Sequence, residues 1–97
     1  MSLDQAIATN RLRRALLAFQ SAKSRFLNAH RRLQIRPQVE VVAYWAGSGR
    51  QVKADLRLAA AEVEGAFQEF AAAGLVISGT DRPLIAEARR CFAEGKP

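Results

Sequence analysis

Residues 12–33 read LRRALLAFQSAKSRFLNAHRRL, a stretch without glycine or proline in which apolar residues recur every seven positions. The large members of this repeat are Leu12, Phe19, Phe26 and Leu33. An alanine follows three residues after each of the first three, at Ala15, Ala22 and Ala29. Seven-residue spacing is typical of a helix that packs along one side against another helix. Because glycine and proline are absent from about residue 4 onward, the sequence predicts one long helix over residues 4–33.

A second segment, over about residues 50–73, repeats the same alternation of large and small side chains. Its large members are Leu56, Val63 and Phe70, and its smaller members are Val52, Ala59, Ala66 and Ala73. Two helices with this shared rhythm can pack closely when each large side chain faces an alanine. The sequence therefore predicts a long antiparallel helical hairpin.

The predicted register places Phe26 opposite Ala59 and Phe19 opposite Ala66. Sliding the second helix by seven residues, so that the first continues past residue 33, also pairs large side chains with alanines. That alternative runs the first helix through Pro37, and a proline inside a helix costs about 3 kcal/mol or more. We therefore prefer the first register.

Charged residues beside the repeat favour the same antiparallel arrangement. In the preferred register, Arg32 meets Asp55 and Arg25 meets Glu62 across the two helices. An exposed ion pair contributes about 0.2–1 kcal/mol, so the pairs specify direction more than they add stability.

The connection over residues 34–51 is too long for a tight turn. Residues 38–46 can form a short helix begun by Pro37 or an extended segment rich in β-branched and aromatic residues, and the pattern does not decide between them. Gly47-Ser48-Gly49 marks a flexible turn, in which Ser48 is placed to cap the second long helix.

A shorter C-terminal helix is predicted after the hairpin. Gly74 stands where a helix end favours a left-handed residue, and Thr80 or Asp81 precedes a new helix that has Pro83 in its first turn and ends at Gly95. Its apolar face comprises Leu84, Ile85, Ala88, Cys91 and Phe92. We expect this face to dock on the hairpin near Leu16, Ala60 and Phe67. The fold class is thus all-α: a three-helix bundle with a short extra element at residues 38–46.

Length and composition predict one domain over residues 1–97 with a single core. The single cysteine and single histidine exclude an intramolecular disulfide and a structural zinc site, and no cofactor is predicted. No apolar run approaches the ~18–20 residues of a membrane span, and the N-terminus does not resemble a signal peptide. These features predict a cytoplasmic protein.

Candidate catalytic residues lack the neighbours that catalysis requires. His30 stands among basic residues without an acidic partner in sequence reach, so we expect a surface histidine. Cys91 lies on the apolar face of the C-terminal helix, and we expect it to be a small buried hydrophobic residue. A nucleophilic cysteine needs a lowered pKa and a base. The sequence therefore predicts a protein that is not an enzyme.

The net charge of +6 lies in the first half of the chain. Residues 1–50 hold nine Lys/Arg against two acidic residues, or +7, whereas residues 51–97 hold six against seven, or −1. Nucleic-acid binding through the arginines outside the predicted hairpin pairs is therefore one functional hypothesis. These arginines are Arg13, Arg14, Arg31, Arg36 and Arg50.

Apolar residues outside the predicted seam favour a different function. Leu17, Leu27 and Leu58 fall at outward positions of the repeat, and Tyr44 and Trp45 lie at the tip of the hairpin. Such residues either cover the protein's own surface or meet another chain. Our first hypothesis is a small interaction module of the adaptor, regulator or inhibitor type, which binds a protein partner or forms a homodimer through these residues.

The tripeptide Trp45-Ala46-Gly47, near the middle of a helical hairpin, resembles the Trp-X-Gly signature of the WXG proteins, which are small secreted helical hairpins. The resemblance implies a secreted protein with this tripeptide between its two helices. The chain departs from the family pattern because it is basic, because Pro37 interrupts the first helix, and because Phe92-Ala93-Glu94 has the wrong spacing for the C-terminal signal. Secretion as a WXG-type hairpin is therefore our lowest-ranked alternative.

Overall fold

The computed structural model describes residues 2–94 and contains four helices over that part of the chain. They are α1 (Leu3–Leu33), α2 (Gln38–Ala46), α3 (Gly49–Ala72) and α4 (Arg82–Glu94). Helices α1 and α3 form the predicted antiparallel hairpin and α4 packs on it, so the predicted all-α fold is confirmed. The predicted helix end at Gly95 lies outside the described residues.

We call the end where α1 begins and α3 finishes the open end, and the end that holds α2 the closed end. At the open end Ser2 caps α1: its hydroxyl accepts from the backbone N–H of Gln5, and the Gln5 side chain accepts from the backbone N–H of Ser2. The Gln5 amide also donates to the carbonyl of Ala73, 3.1 Å away. One glutamine therefore caps α1 and ties it to the residue that follows α3.

The core lies along the seam of the hairpin and continues under α4. Alanines alternate with large side chains along this seam, as the repeat predicts. The buried residues of the core as a whole are Leu12, Ala15, Leu16, Phe19, Ala60, Val63, Ala66, Phe70, Ile85 and Ala88. Small residues facing large ones let the helices approach closely without leaving cavities.

The register is one heptad away from the predicted one, in the direction opposite to the alternative through Pro37. Arg25 was predicted to meet Glu62 but lies 3.7 Å from Asp55, the residue assigned to Arg32. Glu62 is bound by Arg11 at 2.9 Å, and Arg11 also reaches Glu69 at 2.6 Å. The Arg25–Asp55 and Arg11–Glu69 pairs each displace α3 by seven residues, which brings Ala59 opposite Phe19 instead of opposite Phe26.

Helix α2 explains this displacement. It is a helix, not an extended segment, and it folds back so that the Trp45 ring lies 5.3 Å from the Phe26 ring. The last turns of α1 are therefore faced by α2 and the start of α3. In the predicted register the first turns of α3 alone would have occupied that space, with Val52 opposite Leu33.

The ends of α3 differ in how they are capped. Gly74 has φ +79°, its N–H donates to the carbonyl of Ala71, and the N–H of Leu75 donates to the carbonyl of Phe70. This is the Schellman arrangement, and it confirms the predicted left-handed residue. At the other end Ser48 occupies the capping position, but its side chain makes no capping hydrogen bond, so its predicted role was wrong.

Helix α4 returns along one flank of the hairpin, against α3. Ile85 and Ala88 are buried in the same cluster as Leu16 and Ala60, as predicted. Two ion pairs flank this contact: Arg89 with Glu64 at 2.8 Å and Lys23 with Glu87 at 2.5 Å. Arg89 also lies over the Phe67 ring. The pairs connect α4 to both long helices.

Candidate protein-binding site

A groove with a volume of about 360 Å³ lies at the open end, between α1 and the connection from α3 to α4. Its apolar lining comes from α1, α3, the connection and α4. The lining residues are Leu12, Leu16, Leu17, Phe70, Val76, Ile77 and Leu84. Because Leu12, Leu16 and Phe70 are buried core residues, the floor of the groove is as well ordered as the hairpin seam.

Two aliphatic side chains stand at the lip of this groove with most of their surface in water. Leu17 is 61% exposed and Val76 is 86% exposed. Exposed polar residues surround them: Arg13, Gln20, Ser78 and Asp81. An apolar centre within a polar rim is the usual anatomy of a protein–protein interface.

The connection that forms one wall of the groove is fixed by local hydrogen bonds. Its first turn is the Gly74 cap, and its last is built on Ser78, whose hydroxyl accepts from the backbone N–H of Asp81 at 3.3 Å. The Ser78 carbonyl accepts from the N–H of Arg82 at 3.2 Å. Leu75, Val76 and Ile77 are therefore held between two ordered turns.

Of the three leucines predicted to bind a partner, Leu17 belongs to the groove. All three are exposed. Leu27 is ten residues further along α1, which places it about 15 Å along the helix axis and about 80° around it. Leu58 is on the other long helix. The three leucines therefore do not form one surface.

The predicted aromatic tip is largely used inside the molecule. Tyr44 and Trp45 are both half-buried, and their rings meet edge to face at 4.9 Å. Trp45 also packs on Phe26, and the Lys53 ammonium lies 4.8 Å from its ring centre. The two rings are therefore partly covered by the molecule's own side chains, and their role in binding a partner stays a prediction.

Comparisons with family models, curated proteins and solved structures found no match to this chain.

The five arginines proposed for nucleic-acid binding are exposed but divided between two places. Arg13 lines the groove, and Arg14 lies on the flank of α1 near Ile7 and Ala18. Arg31, Arg36 and Arg50 lie at the closed end. Arg14 and Arg31 are 17 residues apart on α1, or about 25 Å. The arginines do not form a single stripe.

The flank of the hairpin away from α4 carries an ion-pair network on Arg11. Its Nε donates to Glu62 at 2.9 Å and its Nη1 donates to Glu69 at 2.6 Å. The hydrogen bond from Arg11 lowers the pKa of Glu62 below its ordinary value, and the same bonds raise the pKa of Arg11. Glu62 and Arg11 are therefore charged at neutral pH, and the bonds from Arg11 to both glutamates hold α1 against α3.

The single histidine and single cysteine lie apart from the groove. His30 is exposed on α1 and its ring stacks near Phe26, with centres 6.3 Å apart. Cys91 is half-buried on α4, and burial raises the pKa of its thiol. The thiol is therefore less ionised at neutral pH than a free cysteine.

Residues 2–94 contain neither a metal-ligand cluster nor a membrane-spanning helix. In that range, no group of three or more His, Cys, Asp and Glu side chains is placed to hold a metal ion. None of the helices there combines the length and apolar composition needed to cross a bilayer.

Sequence reasoning named Leu17 but missed the opposite wall of the groove. The signal was present: Leu75, Val76 and Ile77 form an apolar run between Gly74 and Ser78, where a surface connection normally carries polar residues. The hydrophobic contact that usually follows a helix end accounts for Leu75 but not for Val76 and Ile77. Leu75 and Ile77 do pack on the core, but Val76 between them points to water.

Proposed function

We propose that this protein is a non-enzymatic interaction module whose open-end groove binds an apolar side chain of a protein partner. The observation that supports the proposal is the exposure of Leu17 and Val76 at the lip of an apolar groove. Covering these side chains removes apolar surface from water, which contributes about 25 cal/mol of binding free energy for each Å² buried.

The polar rim favours a protein as the occupant. Arg13 and Asp81 are both exposed and of opposite charge, so the rim can pair with acidic and basic residues of a partner. A peptide segment with one large apolar residue flanked by polar ones matches this arrangement of centre and rim. The proposal includes a cytoplasmic location, which cell fractionation tests.

The test compares Leu17→Asp with Leu58→Asp in a pull-down from the native source, followed by binding measurements with the purified partner. Leu17 is 61% and Leu58 68% exposed, so the two substitutions are matched in residue type and exposure. Leu17→Asp is expected to weaken binding by roughly tenfold or more, since it places a charge on the apolar contact. Leu58→Asp is expected to bind like the parent.

Light scattering on the purified protein separates a different partner from a second copy. A dimer that Leu17→Asp dissociates would identify the occupant as this chain itself. Equal partner binding by both aspartate variants would remove the groove from the interaction and overturn the proposal.

A further inference from the structure

The closed end carries most of the net charge of the molecule. Residues 25–57 hold seven Lys/Arg against two acidic residues, a net charge of +5, whereas the rest of the chain holds eight against seven, or +1. The fold gathers this range into the last turns of α1, all of α2 and the first turns of α3. Such a concentration attracts an extended anionic partner.

The basic side chains at this end are available to a partner. Arg31, Arg32, Arg36 and Arg50 are all exposed. Of the two acidic residues, Asp55 is engaged by Arg25 at 3.7 Å and by the Gln51 amide at 2.7 Å. The Glu40 carboxylate lies 3.9 Å from the Arg36 guanidinium, and both side chains are more than half exposed.

Exposed aliphatic side chains lie among these arginines. Ile35 is 87%, Val39 75% and Val42 57% exposed. On α2, the exposed apolar residues Val39, Val42, Ala43 and Ala46 follow the spacing of one helical face. The half-buried Val41, Tyr44 and Trp45 belong to the inner side, which packs toward α1 and α3. Helix α2 therefore turns an apolar face to solvent at the end of the molecule that carries the excess positive charge.

We propose that the closed end binds the surface of an anionic phospholipid bilayer. The aliphatic side chains of Ile35, Val39 and Val42 enter the boundary between headgroups and acyl chains, and the arginines contact headgroup phosphates. Nucleic acid would satisfy the arginines but leave the aliphatic side chains in water, whereas a bilayer surface offers anionic groups and an apolar layer together. This inference is independent of the groove at the open end.

The test is sedimentation of the full chain with vesicles of phosphatidylcholine alone and with vesicles that also contain phosphatidylserine. Binding is expected to the anionic vesicles, to weaken as salt rises, and to be absent from the neutral ones. Equal binding to both kinds of vesicle, or binding to neither, would overturn the proposal.

Val39→Ser tests the apolar contribution, with Val76→Ser as its matched control at the opposite end of the molecule. Both valines are at least three-quarters exposed. Serine and valine have similar helix propensities and neither is charged, so Val39→Ser keeps α2 intact and the net charge unchanged, and circular dichroism checks the helix. It should weaken vesicle binding roughly tenfold, the effect of losing one buried valine, while Val76→Ser binds like the parent.

Arg50→Glu tests the charge contribution, with Arg14→Glu as control. Each basic residue near an anionic surface contributes roughly fivefold in binding, so reversal of one charge should weaken it roughly twentyfold. Arg14→Glu, on the flank of α1, should change it much less. Tight binding of duplex or single-stranded nucleic acid that falls with Arg50→Glu but is unchanged in Val39→Ser would assign the closed end to nucleic acid and overturn the lipid proposal.

Discussion

Gly49 leaves the space into which two aromatic rings pack. A Cβ atom at this position would lie 2.6 Å from the Trp45 ring and 2.6 Å from the Tyr44 ring. The Trp45 ring also contacts Phe26 and Lys53, and the Tyr44 ring meets Trp45 edge to face. The glycine at the start of α3 therefore sets how closely α2 approaches the hairpin.

We predict that Gly49→Ala lowers the free energy of unfolding by about 1–3 kcal/mol, the usual cost of forcing an extra group into a packed site. Denaturant melting and Trp45 fluorescence measure the loss and the ring displacement. Gly79→Ala is the control, since a Cβ there meets nothing within 4 Å. Unchanged Trp45 emission in Gly49→Ala would mean that the rings are not packed against this residue.

Ser2 and Ser48 show how far a helix cap can be predicted from residue type. Ser2 with Gln5 matches the capping-box signature, and both hydrogen bonds form. Ser48 is the same residue type at the same kind of position, but its backbone is helical, at φ −57° and ψ −33°. Helical angles turn the side chain away from the first N–H groups. Only the Ser48 cap was predicted from the sequence. Residue type alone fits both positions, whereas the backbone conformation that decides between them depends, at Ser48, on the packing of α2.

At the scale of helices, the alanines that face large side chains determine how closely α1 and α3 approach. Ala66 is fully buried, with Val63 and Phe70 on the same face of α3. The surrounding residues leave no room for three further carbon atoms. The seam therefore depends on small side chains as strictly as on large ones.

Ala66→Leu is expected to destabilise the protein by about 1–3 kcal/mol through overpacking. Ala71→Leu, at an exposed position of the same helix, should change stability little, because leucine and alanine have similar helix propensities. Thermal melting followed by circular dichroism compares the two. Equal melting temperatures for Ala66→Leu and the parent would contradict the close-packed seam.

The helices and their direction could be predicted from the sequence, but the register could not. A seven-residue repeat places large side chains against alanines equally well after a shift of seven, and Arg25 finds an acid in either alignment. The choice is made by contacts outside the repeat. Trp45 packs on Phe26, which requires α2 to fold back, and the sequence left the conformation of residues 38–46 open.

For the molecule as a whole, ion pairs between helices make stability depend on pH. The pKa of Glu62 is lowered in the folded protein by its hydrogen bond from Arg11, so the ionised carboxylate stabilises the fold. This contribution is fully present above the unfolded pKa of about 4.3 and is lost as the pH falls through the lower folded value.

We predict that Glu62→Gln melts at a slightly lower temperature than the parent at pH 7, and that the difference disappears below about pH 4. Arg11→Gln should lose more, because it also removes the pair with Glu69. Adding Glu62→Gln to Arg11→Gln should then change little, because the Arg11–Glu62 interaction is already absent. A difference between Glu62→Gln and the parent that persists in acid would show that the glutamine acts through packing instead.

The length of α1 has a consequence for how the two ends of the protein influence each other. Leu17 at the groove and Ile35 beyond the last turn of α1 are 18 residues apart, or about 27 Å at the rise of a helix. Mobile ions screen charges beyond about 8 Å at physiological ionic strength. An occupant of the groove and a bilayer at the closed end, as proposed above, would therefore not sense each other's charge, and the hairpin would act as a spacer between two separate binding equilibria.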